Sequence, residues 1–260
     1  MSTVTPLDPW ARFRAATRAR IGLGRSGDSL PTPALLDFQE AHARARDAVH
    51  GAVDFAALAD RFPGRDVVTV RSAAADRATY LRRPDLGRRL DDAYRPLLDK
   101  GDYDVAFVIA DGLSAAAVTD HAAALVNACL ALLPGWRVAP VVLARQGRVA
   151  LGDDIGTALG ARMVAVLIGE RPGLSVANSL GAYLTWEPRP GRRDSERNCI
   201  SNIHADGLDI DGAARRLTGL MAEARRLRAT GITLKEDAVR LEGPGGTSAD
   251  LVEDQRGQEA

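Results

Sequence analysis

Arg162-Met163-Val164-Ala165-Val166-Leu167-Ile168 runs directly into Gly169-Glu170-Arg171-Pro172-Gly173-Leu174-Ser175. The first half is a nearly continuous apolar run closed by Gly and Pro. It reads as a buried strand of the kind found in parallel sheets covered on both faces. The second half is a rigid charged loop, placed where an open α/β sheet holds its ligand beyond the carboxyl ends of its strands. Two glycines let backbone approach a ligand closely, Pro172 fixes one turn, and Glu170 with Arg171 supplies an acceptor and a planar donor fork. A polar, extended ligand suits such a loop, and a solvent-facing turn is the plainer reading of the same residues.

Working outward, apolar strand-like runs at 105–110, 137–144 and 182–186 alternate with helical patterns at 114–133, 154–159 and 210–228. This alternation predicts an α/β fold, a Rossmann-like and mostly parallel sheet flanked by helices. Its carboxyl rim would gather Asp111-Gly112, Gly147-Arg148-Val149, the Glu170 loop and a second polar segment, Cys199-Ile200-Ser201-Asn202-Ile203-His204. The N-terminal third reads as mainly helical. Trp10, Phe13, Thr17 and Ile21 share one helical face, and Thr32-Pro33 offers an N-cap and first turn for a helix that Gly51 stops. A short helix at 55–61, a strand at 67–70 and a helix at 86–98 complete it. Three parts follow: a helical accessory region (1–100), a Rossmann-like domain (101–234), and a disordered tail (235–260) rich in Gly and acid.

The composition narrows the partners. Thirty-four basic and 34 acidic side chains cancel, so bulk electrostatics favours no polyanion and nucleic acid is not expected. No apolar run reaches the roughly 18 residues needed to span a bilayer, and no charged start with an apolar block follows Met1. A soluble cytoplasmic protein is expected. Cys129 in an apolar helix and Cys199 in a predicted loop form neither a disulfide framework nor a metal-ligand spacing.

Several motifs have dull readings beside sharp ones. Gly22-Leu23-Gly24-Arg25-Ser26-Gly27 matches a dinucleotide fingerprint by letter, but an Arg-rich helix precedes it where a strand is needed. Ser114 after Asp111-Gly112-Leu113 is a candidate nucleophile at a strand-to-helix turn, or simply an N-cap. His42, His50, His121 and His204 form no paired metal motif, so no metal site is expected. Asn202-Ile203-His204-Ala205-Asp206-Gly207 nearly matches the DxHxxG pattern that offers a histidine to cobalt, yet the orienting carboxylate is missing. From the residues alone three functions stay open: a cofactor-binding subunit, an autonomous hydrolase-like enzyme using Ser114 near Asp111, and a non-catalytic nucleotide-binding module.

Gly24 to Gly27, the string Tyr80-Leu81-Arg82-Arg83-Pro84-Asp85-Leu86-Gly87-Arg88-Arg89-Leu90, Asp111 to Ser114, GERPGLS at 169–175 and CISNIH at 199–204 occur together. In that order and spacing, over about 10–234, the sequence resembles the small subunit of ethanolamine ammonia-lyase. The resemblance implies a lyase that uses adenosylcobalamin to convert ethanolamine to acetaldehyde and ammonia by a radical mechanism. It also implies a large barrel subunit that carries the catalytic residues, so none is assigned to this chain, and a hetero-oligomer of large and small subunits. By motif, the cofactor contacts fall at Val149, Glu170 and Cys199. The family's cofactor keeps its own dimethylbenzimidazole below cobalt, which leaves His204 no ligand duty. In some relatives the enzyme is packaged in a bacterial microcompartment, which an N-terminal extension could assist; this sequence reads as lacking a long one, so the resemblance leaves open a location in the cytoplasm at large or inside a microcompartment. The 10–49 arm is expected to present apolar surface to the partner.

Overall fold

The computed structural model describes residues 8–234, so the expected tail at 235–260 lies outside the described residues. Six strands form one sheet: β1 (Val67–Arg71), β2 (Tyr103–Ala110), β3 (Val141–Arg145), β4 (Ala161–Gly169), β5 (Leu180–Trp186) and β6 (Asn198–Ile203). Their spatial order is β1-β3-β2-β4-β5-β6. The first four are mutually parallel, while β5 and β6 return antiparallel. Helices are α1 (Ala11–Ala16), α2 (Thr32–His50), α3 (Phe55–Ala59), α4 (Arg77–Arg82), α5 (Ala115–Ala117), α6 (Ala123–Ala131), α7 (Leu151–Leu159) and α8 (Ile210–Leu227). The expected α/β architecture is what the chain adopts, with its apolar strands buried from both sides.

Alternation along each strand splits the core in two. Met163, Ala165 and Leu167 of β4 join Phe107, Leu125, Leu184, Leu217 and Met221 under α6 and α8. Val164, Val166 and Ile168 join Val108, Val142, Leu151, Ile155 and Leu159 under α7. Cys129 belongs to the first layer, and burial pushes its thiol up to about 12, as for an inert core residue. Asp209 caps α8 by accepting from the Gly212 amide at 2.6 Å, and Gly160, at φ +71°, turns the chain out of α7 into β4.

The structure departs from the sequence reading in several places: α1 ends at Ala16, so Thr17 and Ile21 lie beyond the helix on whose face they were placed, and α4 was not foreseen. The strand at 67–70, assigned to the accessory region, is the outermost strand of the main sheet, paired with β3. Val70 is fully buried there, and Phe55 and Leu58 of α3 sit in the core, so residues beyond α2 pack with the sheet. The helix expected at 86–98 is two 3₁₀ turns, Leu86–Arg88 and Asp92–Leu97, because Leu90 bridges to Ser72 and donates its amide to Asp154 at 2.9 Å. The helix expected at 114–133 carries a π-helical turn, Val118–Ala122, between α5 and α6. The CISNIH segment, expected as a loop, is largely strand β6. Ile200 and Ile203 face the core while Cys199, Ser201 and Asn202 are exposed, and a register shift with Asn202 at φ +62° disguises the alternation.

One ion pair locks α7 to the antiparallel strands. Arg197 donates to both Asp153 oxygens, at 2.8 and 2.6 Å, and to the Thr185 hydroxyl at 2.8 Å. Both charged side chains are 2% exposed. Arg197→Ala strands the Asp153 carboxylate without its partner, and urea denaturation should show a loss of about 3–5 kcal/mol; a loss below about 1 kcal/mol, the range of surface pairs, would contradict the buried geometry.

Candidate functional site

Adjacent strands β2 and β3 send their outgoing helices to opposite faces of the sheet, α6 to one and α7 to the other. Their carboxyl ends therefore form the topological switch where doubly wound sheets bind ligands. Asp111, immediately after β2, is buried, and its carboxylate accepts the amides of Gln146 at 3.0 Å and Gly147 at 3.1 Å. Burial pushes this carboxyl up, against the pull of those amides and of Arg77. Gln146 holds φ +55°, a conformation rare for a non-glycine residue, and Asp111 is what grips its amide.

The loop that Asp111 anchors delivers Val149. From below it rests on Tyr80, whose hydroxyl donates to the Gly147 carbonyl at 3.0 Å and whose ring lies between the guanidinium groups of Arg148 and Arg77 at 4.3 and 4.9 Å. Arg148 donates its amide to Gly87 at 2.8 Å, and a Cβ on Gly87 would stand 2.9 Å from Arg148 Cγ and 3.0 Å from the Tyr80 ring. The long Tyr80 to Leu90 string, quoted only as a resemblance, is thus the platform under the Val149 loop. Arg77, Tyr80 and Gly87 are support residues that sequence reasoning missed, although Tyr80 and Gly87 lie within a string it quoted. Val149 is half-buried and packs on the α7-side core.

Glu170 and Cys199 lie on that same side of the sheet. The Glu170 amide donates to Ser179 at 2.9 Å, closing the loop between β4 and β5. Its side chain folds over Gly181, where a Cβ would meet Glu170 Oε1 at 3.0 Å and Tyr183 Cε2 at 3.1 Å. Tyr183, two residues along β5, faces the same way and pairs across the ladder with Cys199. Tyr183 and Cys199 share a side-chain hydrogen bond, and burial pushes the Tyr183 phenol up. Cys199 is an exposed thiol within β6 rather than on a strand-end loop. The structure thus sets Glu170 and Cys199 around Gly181 and Tyr183, and Val149 and Tyr183 pack on one core. Arg171 points to solvent.

Other candidates are spoken for. Ser114 is fully buried; its hydroxyl donates to the Ala177 carbonyl at 2.8 Å and accepts the Ala117 amide at 3.3 Å, the N-cap arrangement. His204 is buried, with Nδ1 accepting the Asp206 amide at 3.2 Å and Nε2 2.8 Å from Asn202 Oδ1, so both ring nitrogens are engaged. Gly22, Gly24 and Gly27 all hold positive φ in a turn that follows α1, without the strand a dinucleotide loop requires. Among the described residues no cluster of His, Cys, Asp and Glu is arranged to hold a metal ion, and no helix is long and apolar enough to cross a membrane.

The open, doubly wound α/β sheet presents a carboxylate, a phenol–thiol pair and an aliphatic side chain on its α7 side. The model of the ethanolamine ammonia-lyase light chain family (EutC) matches residues 7–235. Ethanolamine ammonia-lyase small subunits are similar across nearly the whole chain: 52% identity over 258 residues in Pseudomonas putida, covering 95% of each chain. In Pseudomonas aeruginosa identity is 53% over 241 residues (89% of this chain, 88% of the relative), and in Azotobacter vinelandii 53% over 250 residues (92% and 93%). The chain belongs to the ethanolamine ammonia-lyase light chain family.

The platform under Val149 makes its own prediction. Asp111→Ala leaves the Gln146 and Gly147 amides buried without an acceptor, which should cost about 1–3 kcal/mol in chemical denaturation. A loss indistinguishable from zero would show that Asp111 does not anchor the loop.

Proposed function

We propose that this chain is the small subunit of an adenosylcobalamin-dependent ethanolamine ammonia-lyase, and that its Val149, Glu170 and Cys199 face forms one wall of the cobalamin site against a catalytic large subunit. The observation that carries this reading is the convergence of Glu170 and Cys199 around Gly181 and Tyr183, beside the core that holds Val149, in a member of this family. The donor set fits a corrinoid, a broad disc with apolar surface and a rim of amides. Gly181 leaves the space beside Glu170 Oε1 clear of a side chain, while Ser179 Oγ and the Asn202 amide both donate to Oε2.

Each residue has a defined task. Val149 meets the macrocycle through apolar contact, Glu170 accepts from a peripheral amide or hydroxyl, and Cys199 with Tyr183 gives a soft, weakly polar edge. Both ring nitrogens of His204 are engaged within the chain, so His204 would not be among the residues that hold the cofactor. Held by Val149, Glu170 and Cys199, adenosylcobalamin would supply radical chemistry. Substrate binding and the steps from ethanolamine to acetaldehyde and ammonia fall to the large subunit.

The partner has a surface to bind. Trp10 and Phe13 of the N-terminal arm are 50% and 43% exposed, and Leu35, Leu36 and Phe38 of α2 are 40%, 57% and 39% exposed. Only Ala48 of α2 is buried, so this arm offers an apolar strip that a second protein would cover.

Coexpression with a large subunit should give a complex that binds adenosylcobalamin and releases acetaldehyde from ethanolamine, while the isolated small subunit does neither. Glu170→Ala should leave that complex assembled and weaken cofactor affinity about tenfold to a hundredfold, the range of a lost hydrogen bond to a charged group. Unchanged affinity would remove Glu170 from the site.

A further inference from the structure

We infer that Ser179, together with the Asn202–His204 turn, is a positioning device that fixes which oxygen of Glu170 meets the ligand; this rests on the cobalamin-site reading above. A half-buried glutamate in a loop has three rotatable torsions and two equivalent oxygens, so its direction needs an external constraint. Here the Ser179 hydroxyl donates to Oε2 at 2.5 Å and the Asn202 amide reaches the same oxygen at 3.3 Å. Both donors converge on Oε2, and Oε1 is left over Gly181.

The second donor is itself held in place. Asn202 sits at φ +62° in the irregular end of β6, the left-handed conformation that asparagine tolerates better than most residues. Its side-chain oxygen lies 2.8 Å from His204 Nε2, and its carbonyl accepts the Leu208 amide at 2.9 Å. The Asp206 amide donates to His204 Nδ1 at 3.2 Å, which leaves the Nε2 proton for Asn202. A Cβ on Gly207 would stand 2.7 Å from both Asn202 Nδ2 and His204 Nε2, so the turn closes only around a glycine. The near-cobalamin histidine pattern thus serves the cofactor indirectly: His204 orients Asn202, and Asn202 with Ser179 orients Glu170. None of the three needs to touch the corrinoid.

The test is a double-mutant cycle on the assembled large–small complex, with adenosylcobalamin affinity read by absorbance titration and folding read by thermal melting. Ser179→Ala should weaken affinity about fivefold to tenfold, the scale of one hydrogen bond, with the melting temperature little changed and Ser179→Thr recovering most of the loss. In a Glu170→Ala background Ser179→Ala should cause no further loss, because Ser179 acts through that carboxylate. Unchanged affinity in Ser179→Ala while Glu170→Ala is impaired would overturn the positioning role and leave the site standing, as would a Ser179→Ala loss of equal size in both backgrounds. Unchanged affinity in both single variants would instead sink the site reading on which this rests.

Discussion

The pairing register of β4 with β5 is the constraint on which the site depends. Gly169 opposes Leu180, and the ladder continues through Leu167 with Ala182 and Val166 with Tyr183. A slip of one residue would turn Gly181 and Tyr183 towards α8 and bring Leu180, Ala182 and Leu184 to the α7 side. Burial forbids it: those three apolar residues are at most 1% exposed in the core under α8. On the opposite face the Arg197, Asp153 and Thr185 cluster holds the far end of β5 against α7. Core packing on one side thus sets the direction of polar groups on the other.

The same topology explains why this face is available. Strands β1 to β4 run parallel, and β2 and β4 are buried almost throughout, because the connections between parallel strands place helices over both faces. The antiparallel return of β5 and β6 needs only short connections, so Tyr183 stays half-buried and Cys199 exposed. Apolar and weakly polar groups left in this way are suited to a broad ligand and a second protein together. The arm of α1 and α2 likewise leaves large apolar residues exposed, Phe13, Leu35, Leu36 and Phe38 among them.

How much of this was legible in the sequence follows from how each segment is buried. β4 announced itself because both faces are covered and nearly every residue from 163 to 169 is apolar or glycine. β6 did not, since one face is open, and its exposed Cys199, Ser201 and Asn202 give it the composition of a loop. β1 was seen as a strand but assigned to the wrong neighbourhood; its partner β3 lies some seventy residues away, and no local pattern encodes such a pairing. Glu170 stood out because a charged residue between glycine and proline is conspicuous. Ser179, Tyr183 and Gly181 carried no comparable signal, since their significance lies in facing Glu170 and Cys199 across strands. Asp111 was quoted for its place beside Ser114, yet its carboxylate serves the β3 loop instead, a contact that only the adjacency of β2 and β3 creates.

The most direct test is a cryo-EM or crystal structure of the large–small complex with adenosylcobalamin. The account predicts corrinoid density along the β5–β6 face on the α7 side, in contact with Val149, Glu170 and Cys199, with the large subunit closing the opposite side of the disc. Density held wholly by the large subunit, or seated on the α8 side of the sheet, would contradict it.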